Sequence, residues 1–131
     1  MNSDALITRR SRRPLEQVCA QLPDIVQKHK FGLLGTHDLK EKIQSKGLQF
    51  ERECRVFEVC SPAQAKAVLD RAIEVSTALP CRIAVYQEAG DTVLATIKPT
   101  TLLGLFGAGE ARGIAEEVER SMVAIMDDAA R

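Results

Sequence analysis

The chain has little to stack with. It holds no tryptophan, one tyrosine and four phenylalanines, so aromatics are 4% of its 131 residues. Single-stranded nucleic acid is held by aromatic platforms within a basic groove. The charge requirement fails as well, because 18 Lys and Arg balance 18 Asp and Glu. A nucleic-acid partner is therefore not expected. Long apolar runs are also missing. The longest uncharged stretch, Pro99 to Gly109, is shorter than the ~20 residues a membrane helix needs. No apolar segment of ~7–15 residues follows the basic cluster Arg9-Arg10-Ser11-Arg12-Arg13, as a secretory signal would require. These absences point to a cytoplasmic protein with no membrane partner, in which Cys19, Cys54, Cys60 and Cys81 stay reduced. No cysteine pair has CxxC spacing, and there is no P-loop, HExxH or Ser/His/Asp constellation. No metal site is expected and no cofactor can be named.

What is present is an ordinary globular composition, 45% hydrophobic and 27% charged. The length suits a single domain, residues 1–131, that buries ~65–70% of its unfolded surface. The zero net charge is a cancellation. Residues 1–66 carry 12 basic and 8 acidic side chains, and residues 67–131 carry 6 and 10. Such a dipolar chain can assemble with copies of itself through complementary faces.

The pattern along the chain alternates strands and helices. Residues 4–10 read as a first strand. Pro14 suits a helix N1 position, and Leu15, Val18, Cys19, Leu22 and Val26 then recur at helical spacing. Pro23 interrupts that stripe, which predicts a kink or two short pieces ending near Lys30. Residues 31–37 read as a strand. Asp38 and Glu41 form a capping box, and Lys46-Gly47 stops that helix. Residues 53–60 are rich in β-formers. Ser61, Pro62 and Gln64 then supply N-cap, N1 and N3 of the next helix. Residues 81–87 and 92–98 read as a hairpin around Glu88-Ala89-Gly90-Asp91. Residues 99–109 read as a Gly-rich connection, and a last helix spans about 110–129 with Ile114, Val118, Met122, Ile125 and Met126 as its stripe. The motif Gly107-x-Gly109-x-x-x-Gly113 is one residue off the dinucleotide fingerprint and has no βαβ context. The order β-α-β-α-β-α-β-β-α gives an α+β fold, a mostly antiparallel five-stranded sheet with helices on one face.

The run from Lys28 to Asp70, then LPCRIAVY and TIKPTTLL, resembles the domain of unknown function 302 family, over roughly residues 28–103. Its most specific pieces are ECRVFEVCSP and LPCRI. The resemblance implies a TATA-binding-protein-like fold, in which the antiparallel sheet is curved, and a homodimer. It implies no activity.

Cysteine, arginine and histidine carry the candidate chemistry. Cys54 and Cys60 lie six residues apart on one strand, ~20 Å if it is straight, too far to share a metal. Cys81 neighbours Cys60 if the two strands are antiparallel and Cys54 if they are parallel, and the resemblance favours the first. Cys60 also precedes the Ser61 cap, where a helix N-terminus depresses a thiol pKa. Arg55 and Arg82 each follow a strand-opening cysteine, and paired arginines on a sheet face clamp a carboxylate or phosphate. Structural ion pairs with Glu53 or Glu58 are the competing role. His37 ends a strand and could act as a base or ligand, whereas His29, within a basic run, reads as solvated. The expected function is binding of a small anionic or sulfur-containing ligand by Cys60, Cys81, Arg82 and Arg55, with Cys54 and His37 nearby. The alternatives are a thiol-based redox or sulfur-transfer protein using Cys60 and Cys81, and a non-catalytic dimerisation module.

Overall fold

The computed structural model describes residues 3–107, 109 and 111–131. A short 3-10 turn, Ser3–Ala5, leads into β1, Leu6–Ser11. Then follow α1 (Leu15–Lys28), β2 (Gly32–Asp38), α2 (Leu39–Gln44), β3 (Cys54–Cys60) and α3 (Pro62–Arg71). After a 3-10 turn at Ile73–Ala78 come β4 (Cys81–Glu88), β5 (Asp91–Ile97), α4 (Pro99–Gly104) and α5 (Arg112–Ala130). The five strands form one antiparallel sheet in the order β1-β5-β4-β3-β2. This is the expected α+β architecture.

Local chemistry explains most of these elements. Asp38 accepts the Glu41 N–H at 3.0 Å and starts α2. Ser61 accepts the Gln64 N–H at 3.4 Å and starts α3, with Pro62 at its first turn. The β4–β5 turn places Ala89 at φ +52 and Gly90 at φ +83, the pair of left-handed residues that a tight two-residue hairpin needs. Glu88 and Asp91 face each other across it.

Two expectations about helices are corrected. Pro23 neither splits nor ends α1, which runs unbroken through it. Leu15, Val18, Cys19, Leu22 and Val26 are buried on both sides of the proline. Each large side chain contributes ~1.5–3 kcal/mol on burial, which outweighs the ~3 kcal/mol that proline costs in a helix interior. The segment after β5 is helical from Pro99, not a plain connection. Its first turn is satisfied from a distance, because Glu119 on α5 accepts both the Thr100 N–H, at 3.2 Å, and the Thr100 O–H, at 2.7 Å. Ala108 and Glu110, which belong to the Gly-rich motif and the expected start of the last helix, lie outside the described residues.

The core lies between one sheet face and the helix pair α1–α5. Ile7, Phe57, Val59, Ile83, Val85 and Leu94 meet Val18, Leu22 and Val26 of α1 and Met122, Ile125 and Met126 of α5. A smaller cluster, Val68, Val75, Leu103 and Ala115, sits under α3 and α4 at the end of the sheet where β4 begins.

Candidate functional site

Sheet register decides which candidate residues meet. β3 and β4 are antiparallel, with Val59 opposite Cys81 and Glu58 opposite Arg82. Cys60 is therefore the neighbour of Cys81, and Cys54 lies at the far end of β3, opposite Tyr86. Directly opposed residues share a face and successive residues alternate. Arg55, opposite Val85, faces the helices. Arg82, opposite Glu58, faces away from them. The two arginines of the Cys-Arg openings thus stand on opposite faces, and the expected paired clamp does not form. The two dipeptides look alike, but the pairing offsets them by an odd number of positions.

Arg55 is already saturated with acid. Its guanidinium donates twice to Glu16 on α1 and lies 3.7 Å from Asp38 and 3.8 Å from Glu53. Hydrogen bonding and charge from Arg55 pull the Glu16 carboxyl below its usual range. Three carboxylates leave no place for an anionic ligand, so this arginine ties α1 and β2 to β3.

Arg82 is different. Its side chain is 56% exposed, and among the described residues its guanidinium meets one carboxylate, Glu58, at 3.3 Å. Glu58 Oε1 lies 3.0 Å from His37 Nε2, and the Lys42 ammonium lies 3.0 Å from His37 Nδ1. Because Lys42 can only donate, Nδ1 accepts and Nε2–H donates to Glu58. The His37 hydrogen bond, ahead of the charges around it, holds the Glu58 carboxyl below its usual range. Gly35 makes this approach possible, since a Cβ there would stand 2.8 Å from Glu58 Oε1. The Glu58 carboxylate is thus shared by Arg82 and His37, with Lys42 behind the imidazole.

A cleft of about 330 Å³ opens beside Arg82, where β4 starts and β5 ends. Cys81, Ile97, Leu102, Leu105 and Phe106 line it. Ile97 and Leu105 are 47% and 78% exposed. Cys81 and Leu102 also line a small apolar cavity of about 30 Å³ behind the cleft, with Cys60, Val59, Val68 and Val118. Burial, reinforced by the nearby Cys60, pushes the Cys81 thiol up to about 11. Burial also raises the Cys60 thiol, which reverses the expected effect of the α3 N-terminus. There the Ser61 hydroxyl, not the thiol, takes the Gln64 N–H. Cys54 and Cys19 are raised by burial too, Cys19 to about 11. All four thiols are thus kept protonated at neutral pH, the form that lines an apolar wall rather than the thiolate that attacks.

Among the described residues no cluster of His, Cys, Asp and Glu could hold a metal ion, and no helix is long and apolar enough to cross a membrane. His29 is not solvated, since its Nε2 lies 3.2 Å from Asp128. The α4 wall of the cleft was missed by sequence reasoning. Its available signal was the cluster Leu102, Leu105 and Phe106 within an uncharged run that follows a helix-starting proline.

No curated protein matches the chain. The crystal structure of an uncharacterised conserved protein, DUF302, from Bacillus stearothermophilus is similar, with a TM-score of 0.91 and 31% sequence identity over 97% of this chain and 98% of that one. The model of the domain of unknown function DUF302 matches residues 7–129. With its sequence matched over nearly its whole length, the chain belongs to the DUF302 family.

Proposed function

We propose that the protein is a binding domain for a small amphipathic carboxylate, held in the cleft beside Cys81 with its headgroup at Arg82. One observation carries this reading: an apolar cleft of about 330 Å³ has at its rim a cation whose one carboxylate partner among the described residues is already shared. Its volume is within the ~300–1,000 Å³ typical of small-molecule sites. Charge complementarity selects the anion, and the guanidinium has five N–H donors to offer it. Ile97, Leu102, Leu105 and Phe106 supply the surface for a hydrocarbon body. Cys81 contributes a protonated thiol to the wall, so this reading needs no covalent step.

Octanoate and 1-octanol, which differ in the headgroup alone, are the probes. Isothermal titration is expected to show octanoate binding ~10–100-fold more tightly than octanol, the ~1.5–3 kcal/mol of a hydrogen bond to a charged group. Arg82→Met is expected to erase that preference while leaving thermal unfolding nearly unchanged, because an exposed ion pair contributes ~0–1 kcal/mol. Absence of saturable octanoate binding, or a preference that survives Arg82→Met, would sink the proposal.

A further inference from the structure

The following rests on the carboxylate-binding reading. We infer that Cys81 is the specificity-determining residue of this site: it forms the partition between the cleft and the apolar cavity behind it, and so sets the length of straight hydrocarbon tail the protein accepts. The ligand class that follows is a medium-chain alkanoate.

The two compartments share two lining residues, Cys81 and Leu102. They approach from opposite sides, Cys81 on β4 and Leu102 on α4. Cys81 opens the central strand β4 and is paired there with Val59 of β3, which fixes its place at the end of the sheet. Strand alternation sends Cys81 toward the helices and Arg82 away from them. Two consecutive residues therefore divide the ligand between them, the first meeting its tail and the second its headgroup. Beyond the partition the lining is mostly apolar, with Val59, Val68 and Val118, and it includes Ser61 and Gln64. The cavity of about 30 Å³ there holds roughly one small group, since a water's share of liquid volume is ~30 Å³. The side chain at position 81 thus decides whether a tail ends in the cleft or passes through.

A series of alkanoates from butanoate to dodecanoate, titrated into the native protein and into Cys81→Ala, Cys81→Ser and Cys81→Met, tests this. In the native protein each added methylene is expected to tighten binding about fourfold until the tail meets the partition, where affinity levels off. Cys81→Ala should move that plateau about two carbons longer, by joining the vacated sulfur space to the cavity. Cys81→Met should move it shorter. Cys81→Ser should keep the native plateau and weaken the longest chains, which separates lost space from altered polarity. Thermal unfolding checks that each variant is folded, and the Ala and Ser variants decide the matter without the larger side chain. Binding with the same plateau in native protein, Ala and Ser variants overturns the role of Cys81 and leaves the binding reading intact. No alkanoate binding to the native protein at any length overturns both.

Discussion

Arg55 and Arg82 occupy the same place in two similar dipeptides, yet one is locked among three carboxylates and the other is half exposed. Nothing local separates them. The β3–β4 register does, and register is a property of two strands at once. This is why the candidate residues could be named from the sequence while their grouping could not. Cys60 and Cys81 were placed as neighbours only once the strands were known to be antiparallel. Glu58 was visible as a counter-charge, but its role as the shared partner of Arg82 and His37 depends on Gly35, which stands opposite it on the neighbouring strand β2. A second residue-scale consequence concerns Asp128. The hydrogen bond from His29, then the Lys28 charge, hold its carboxyl below the ordinary 3.8. A depressed folded-state value means a stabilisation that is present above the ordinary carboxylate range and is lost as pH falls through the folded value. Urea unfolding of Asp128→Asn should therefore show reduced stability at pH 7 and a shallower loss between pH 4 and pH 2 than the native protein shows. Parallel acid limbs in the two proteins would contradict this.

Elements whose signals are local were legible. The caps at Asp38 and Ser61 form where their residue types demand, and Gly90 supplies one left-handed position of the β4–β5 turn while Ala89 takes the other against its preference. Elements that depend on distant partners were not. α4 begins on a carboxylate from α5, 19 positions along the chain. α1 survives Pro23 because both halves of its stripe are buried against the sheet and α5. That survival has a measurable cost. Pro23→Ala restores a donor and removes a steric conflict, worth ~3 kcal/mol at a free helix interior, against ~0.4–1 kcal/mol lost by loosening the unfolded chain. A net gain of about 2 kcal/mol or slightly more is expected in urea unfolding at constant m-value. A loss of stability would mean that the surrounding packing has been shaped to the proline ring.

On the scale of the molecule, part of the charge split of the sequence is paired within the chain. Arg9 of β1 pairs with Asp127, Arg10 with Glu88 and Asp91, and Lys28 and His29 with Asp128. These cations of the first half lie against carboxylates of the second. Bulk charge counts could show the imbalance but not that its two sides meet. The same topology orders the strands in sequence distance. β4 and β5 are joined by a two-residue turn, and β2, β3 and β4 pair with near neighbours. β1 alone crosses almost the whole chain, with Ile7 opposite Thr96.

That pairing has a kinetic consequence. Closing so long a loop is repaid only when a docking surface exists, so β1 should join after the transition state, once the other four strands are assembled. Ile7→Val, expected to cost ~0.5–1.5 kcal/mol, should then appear almost entirely as faster unfolding, whereas Val85→Ala in the sheet centre should slow refolding. Stopped-flow chevrons would show the opposite pattern if β1 belonged to the nucleus. Of the five strands β1 is the first to be synthesised. On this topology it is the last to be seated, waiting through nearly ninety residues of translation for the edge that receives it.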